Sequence, residues 1–128
     1  MGARELISTG SKWEPLIGYS RAVKVGNQVF VSGTTGTGAD GLVTGGVYEQ
    51  TKQALANIVS ALVKAGAKPE HVVRTRVFTT KIAEWEAIGR AHGEVFGMIR
   101  PATAMIGVAG MVDPAMLVEI EAHAVIAE

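Results

Sequence analysis

The segment Ile99–Val125, IRPATAMIGVAGMVDPAMLVEIEAHAV, reads as two apolar strands joined by a turn at Val112-Asp113-Pro114. Successive strand side chains point to opposite faces. In the second strand Val118, Ile120, Ala122 and Ala124 therefore share one face, and Leu117, Glu119, Glu121 and His123 share the other. The aliphatic row needs a layer to cover it. Two carboxylates and an imidazole on the opposite face need solvent, charged partners or chemistry to perform.

Working outward, the covering layer is found in two helical segments. Val47, Thr51, Ala54, Leu55, Ile58, Val59, Leu62 and Val63 recur at helical spacing and predict a helix over 47–65. Glu49 in its first turn and Lys64 in its last suit the helix dipole. Gly66 is placed as a left-handed cap, and Pro69 stops the helix from resuming. A second helix is expected from Thr80, as N-cap, to about Gly97, with Ile82, Trp85, Ile88, His92, Val95 and Phe96 on its apolar side.

The remaining strands are short. Ala3–Ile7 predicts the first, followed by a turn-rich stretch over Ser8–Tyr19 that Pro15 and Gly18 interrupt. Ala22–Val25 and Gln28–Gly33 flank Gly26-Asn27 and read as a hairpin. Val72–Thr79 is a β-rich run in which Arg74, Arg76 and Phe78 alternate with Val73, Thr75 and Val77. If that strand neighbours the last one, Arg74 and Arg76 can pair with Glu119 and Glu121. The order β-β-β-α-β-α-β-β gives a single α+β domain over residues 1–128, a mixed sheet with two helices packed on one face.

Composition narrows the function. Twelve basic residues balance twelve acidic ones, so no global field draws the chain to nucleic acid or an anionic membrane. There is no cysteine, which excludes disulfides, thiolate metal sites and a cysteine nucleophile. The polar N-terminus and the lack of a bilayer-length apolar run lead us to expect a cytoplasmic protein without membrane contact. A mean hydropathy of +0.26 favours association with other copies.

Gly36-Thr-Gly38-Ala-Asp-Gly41 matches GxGxxG in letters, but Leu42-Val43-Thr44 intervenes before any helix and no acid ends the next strand. No dinucleotide cofactor is expected. His71, His92 and His123 are widely spaced and form no metal-binding pattern. Ser32-Gly33 lacks a nucleophile elbow, so the Ser32 hydroxyl reads as a pocket-lining group.

Several segments, in order, resemble the RidA/YjgF family, also described as L-PSP endoribonucleases. Gly18-Tyr19-Ser20-Arg21-Ala22 resembles its GxYSxA opening, and Val25–Gly33 resembles its VGNxVFxSGQ hairpin. Gln50-Thr51-x-x-Ala54-Leu55-x-Asn57-Ile58 matches the QTxxALxNI of its first helix. Ala65-Gly66, Val72–Phe78, Pro101-Ala102 and Val118–Ala122 continue the series, which spans about residues 16–126. The resemblance implies a chorismate-mutase-like fold, a homotrimer, no cofactor and small-molecule clefts between subunits. It also implies hydrolysis of enamines or imines to 2-keto acids and ammonia. In that setting Glu119 positions the attacking water, while Tyr19, Ser32, Gly33, Thr103, Met105 and Arg76 line the substrate site.

The chain departs from the family pattern at three places. Thr103 stands where an arginine after Pro-Ala holds the substrate carboxylate, Met105 where cysteine is common, and Thr34 where glutamine follows Ser-Gly. A threonine cannot supply a bidentate cationic fork. Arg76 and Arg21 are the cations left to enter the cleft. Two readings therefore stand beside each other: a hydrolase or deaminase using Glu119, and a non-catalytic ligand-binding or regulatory trimer. The ribonuclease label draws least support, because the neutral chain lacks a base-stacking aromatic pattern.

Overall fold

The structure, a computed structural model, describes residues 3–127. Its strands are β1 (Arg4–Ile7), β2 (Ala22–Val25), β3 (Gln28–Thr35), β4 (Thr37–Gly38), β5 (Gly41–Leu42), β6 (Val72–Thr79), β7 (Ala102–Gly107) and β8 (Val118–Val125). The helices are α1 (Trp13–Ile17), α2 (Val47–Lys64) and α3 (Trp85–Phe96). A six-stranded sheet runs β1-β2-β3-β8-β6-β7, and β4-β5 forms a separate small ribbon. All neighbours in the main sheet are antiparallel except β6 and β7, which are parallel. The α+β class, the mixed sheet and the placement of α2 and α3 on one face follow the sequence reading.

Alternation in β8 is complete. Val118, Ile120, Ala122 and Ala124 are buried under the helices, while Glu119, Glu121 and His123 are partly exposed on the other face. Helix α2 supplies most of the cover, burying Val47, Gln50, Thr51, Ala54, Leu55, Ile58, Ala61 and Leu62. Burial contributes roughly 1.5–3 kcal/mol for each large aliphatic side chain before entropy is charged. Gly66 takes φ +83° and donates its N–H to Val63 O at 3.0 Å, closing the helix as expected. The Glu49 carboxylate accepts the Gly46 N–H at 2.9 Å at the other end.

Several sequence expectations are corrected. The strands of the opening segment are not neighbours: β6 lies between β7 and β8, so the Val112-Asp113-Pro114 stretch belongs to a connection that passes the end of β6. Val63 of α2 is exposed. The second helix begins at Trp85, after a 3₁₀ turn over Ile82–Glu84, and Thr80 does not cap it. Ile82 and Trp85 are exposed and only Ile88, Ala91 and Phe96 of α3 are buried; Ile82 lies against Gly107 of the edge strand β7, where the sheet offers little cover. The turn-rich stretch before β2 contains the short helix α1. Its Glu14 side chain is buried, and its Oε2 accepts Thr9 Oγ1 at 3.1 Å and Ser11 N at 3.2 Å. No helix among the described residues is long and apolar enough to cross a membrane.

Candidate functional site

The site grows from one irregularity in β3. Val31 lies opposite Ala122, and the next recorded pair is Thr34 with Ile120. Ser32 and Gly33 together therefore face the single residue Glu121, which makes a β-bulge. The bulge shifts the pleat by one residue. Val29 and Val31 are buried beneath the helices before it, and Thr34 is buried after it. At Gly33 the strand presents no Cβ, and the Glu119 side chain fills that space: a Cβ built on Gly33 would lie 2.5 Å from Glu119 Oε2 and 2.9 Å from Cδ.

Arg21 holds the other side of the same bulge. Its Nη1 donates to Gly33 O at 2.7 Å and to Thr34 Oγ1 at 2.9 Å, and its Nη2 donates to the Tyr19 hydroxyl at 3.2 Å. The guanidinium also lies over the Tyr19 ring, 5.5 Å from its centroid. Thr34 passes the arrangement on by donating to Ser32 O at 2.7 Å, and the Ser32 hydroxyl donates to Ser20 O at 2.6 Å. That bond commits the Ser32 proton to a backbone carbonyl. Tyr19, Ser32 and Val23 border a shallow cleft on the open face, with Leu6, Lys12 and Glu14 across it.

Glu119 is the unusual acid of the set. It is half-buried, and burial raises its carboxyl above the ordinary value of 4.5; the Arg21 charge opposes the rise and Glu121 adds to it. Among the described residues no cation lies within ion-pair distance of it. A desolvated carboxyl with a raised pKa and no counter-ion is a candidate proton-transfer group.

The other expected site residues fall elsewhere. Arg76 lies opposite Glu121 and pairs with it, Nη1 to Oε1 at 3.1 Å, on the solvent-open face. Arg74 lies opposite His123, and Phe78 opposite Glu119, so the expected arginine-glutamate ladder forms at one rung only. Thr103 and Met105 are paired with Thr75 and Val77 across β7 and β6, and both partners are wholly buried on the helix side. The chain therefore gathers Tyr19, Ser32, Gly33 and Glu119 in one place, keeps Arg76 on the same open face beside Glu121, and sets Thr103 and Met105 apart on the helix side of β7.

Thr103 is engaged there. Its hydroxyl donates to Pro101 O at 3.1 Å and lies 2.8 Å from Thr75 Oγ1, which is 2.9 Å from His92 Nε2. Because Thr103 gives its proton to Pro101, Thr75 donates to Thr103 and accepts from His92. The chain fixes the histidine as its Nε2–H tautomer. Burial lowers the His92 pKa, which keeps the ring neutral at neutral pH.

Sequence reasoning underrated two residues, Arg21 and Thr34. The available signal was a charged residue one position before a strand that the hairpin must bury.

Residues 9–126 match the family described as Endoribonuclease L-PSP. A 2-iminobutanoate/2-iminopropanoate deaminase of Dermatophagoides farinae is 34% identical over 128 residues, covering 98% of this chain and 99% of that protein. The chain belongs to the RidA/YjgF family. A crystal structure of a YjgF/YER057c/UK114 family member from Mycobacterium tuberculosis superposes with a TM-score of 0.89 at 44% identity, covering 97% of this chain and 100% of that one. An uncharacterized Streptomyces coelicolor protein is 41% identical over 119 residues, 92% of this chain and 89% of its own length. Some RidA/YjgF relatives are thus named imine deaminases, and this member carries a threonine at position 103.

Proposed function

We propose that this RidA/YjgF protein hydrolyses a small imine or enamine, with Glu119 as the residue that orients and deprotonates water. The observation that carries this reading is the half-buried, unpaired Glu119 carboxyl seated on Gly33, close enough to Arg21 to feel its charge. Water adds to the C=N carbon and gives a proton to the Glu119 carboxylate. The nitrogen takes that proton back to complete the carbinolamine; Glu119 then relays the hydroxyl proton to the nitrogen as the C–N bond breaks and the C=O bond forms, so that imine and water give ketone and ammonia. Glu119 ends in its starting state. A carboxyl with a raised pKa suits both halves of this cycle, because it must accept a proton and then return it.

The working assembly in this reading is a homotrimer with the cleft completed by a second subunit. The open sheet face supports association, since Leu6, Val25, Phe30 and Ile106 are exposed on it and would be covered.

A second reading, a non-catalytic ligand-binding or regulatory trimer, draws on Thr103, whose neutral hydroxyl is already bound to Pro101 and Thr75.

Generating 2-iminobutanoate with an amino-acid oxidase and following its decay separates the two. Hydrolysis above the buffer rate that is lost in Glu119→Gln supports the enzyme. No acceleration, with 2-oxobutanoate still raising the melting temperature, supports the binder. Sedimentation of a monomer at micromolar concentration would sink the inter-subunit cleft.

A further inference from the structure

We propose that Arg76 is a positioning residue for the Glu119 chemistry: it draws the Glu121 carboxylate toward β6 and so leaves the bulge to Glu119 alone. The proposal rests on Glu119 being the proton-transfer group. Glu119 and Glu121 share the open face of β8, two positions apart, but their neighbours differ. Across β6, Glu119 faces Phe78 and Glu121 faces Arg76, whose Nη1 meets Glu121 Oε1 at 3.1 Å. Across β3, Glu119 faces Thr35, and Glu121 is the residue that the Ser32-Gly33 bulge opposes. Both acids thus border the bulge, and it is the Glu119 side chain that fills the space at Gly33.

The ion pair accounts for that division. Held by Arg76, the Glu121 carboxylate lies on the β6 side of its strand, whereas Glu119 lies on the β3 side, against Gly33. The charges that face Glu119 among the described residues are Arg21, from the residue before β2, and Glu121; Arg76 stands behind Glu121. Without Arg76, Glu121 loses its partner and is free to turn toward the bulge, bringing an uncompensated like charge to a half-buried acid. Side chains two positions apart on one strand face are roughly 7 Å apart. In water at low salt, a like charge at that range raises a carboxyl by about half a pH unit. Closer approach and the lower dielectric of a half-buried site enlarge the shift. The pair itself is half-exposed on both sides, so it adds little to stability and its loss leaves the fold in place.

The test reads the Glu119 proton directly, apart from turnover. The intact protein, isotopically labelled at glutamate Cδ, is titrated by carbon NMR at low ionic strength, where charges are least screened. The Glu119 signal is assigned by its loss in Glu119→Gln. The expected midpoint rises by about half a pH unit or more in Arg76→Gln, falls in Glu121→Gln and returns most of the way to wild type in Arg76→Lys. In the double variant Arg76→Gln/Glu121→Gln it should match Glu121→Gln alone, because Arg76 acts through Glu121. An unmoved midpoint in folded Arg76→Gln would overturn the proposal. So would an upward shift that persists in full when Glu121 is already replaced. Arg76→Ala gives the same comparison should the glutamine variant not fold. The acid limb of the pH profile of kcat/KM for imine hydrolysis should move with the NMR midpoint. A shifted midpoint in a protein that hydrolyses no imine would sink the hydrolase and leave the role of Arg76 standing. Hydrolysis whose acid limb is the same in wild type and Arg76→Gln would do the reverse.

Discussion

Replacing Gly33 with alanine puts a methyl group 2.5 Å from Glu119 Oε2, 2.9 Å from its Cδ and 3.1 Å from its Cγ. Ordinary contact begins near 3.4 Å, so the carboxyl must retreat by about 0.9 Å. The backbone of Gly33 is outside the left-handed region, so alanine is tolerated there by the main chain. The clash is with the end of a flexible side chain, so the fold survives and the loss is concentrated in Glu119. A displacement of roughly 1 Å at a reacting group costs on the order of 100-fold in rate. Reduced unfolded-state entropy returns about 0.4–1 kcal/mol of stability. The expected outcome for Gly33→Ala is therefore a kcat/KM for 2-iminobutanoate decay lowered about 100-fold, with a melting temperature within a few degrees of wild type. Unchanged kcat/KM in a folded Gly33→Ala protein would refute the idea that the seat on Gly33 positions Glu119. A collapsed melting temperature would show that the bulge cannot absorb a methyl group.

Three further outcomes follow from the same geometry. The raised pKa of Glu119 means that the fold binds its proton more tightly than the unfolded chain, so stability is lost as pH rises through the ordinary value of 4.5 toward the folded one. Glu119→Gln should then melt no lower than wild type at pH 7 and match it near pH 4, while imine hydrolysis falls by about 10²–10⁴-fold. Thr75→Val keeps the shape of a buried side chain but leaves the His92 Nε2–H without an acceptor, and should cost about 1–3 kcal/mol in urea denaturation. Gln50→Ala removes both the acceptor of Leu117 N–H, at 2.8 Å, and the donor to Ala115 O, at 3.0 Å. It should lower stability by about 2–4 kcal/mol, read as a shifted denaturant midpoint with an unchanged slope.

Where one physical signal dominated, the sequence was readable. The aliphatic row of β8 and the helical spacing of α2 were both legible because one face of each must be buried, and periodicity records that demand. The first turn of the expected second helix was not, since Ile82 and Trp85 are apolar yet exposed, and hydrophobicity permits burial without enforcing it. The insertion of β6 between β7 and β8 is a long-range pairing choice, and no local pattern encodes it. Family resemblance pointed to Glu119, Tyr19, Ser32 and Gly33, which the fold gathers. It also pointed to Thr103 and Met105, which are on the helix side of β7, away from the others. Arg21 was harder to weigh, because a lone arginine in a sequence carries no mark of whether a carboxylate will meet it.

The bulge at Ser32-Gly33 also has a bearing on which changes the chain can tolerate. It acts as a phase shift in the pleat, letting β3 bury Val31 and Thr34 on the same side although they are three positions apart. Substitutions leave that phase intact. Deleting one residue between Val31 and Thr34 restores regular alternation, so both stay buried and stay opposite Ala122 and Ile120. The fold can therefore lose a residue here, whereas the site cannot, because the Gly33 carbonyl that Arg21 holds and the gap that seats Glu119 both belong to the bulge.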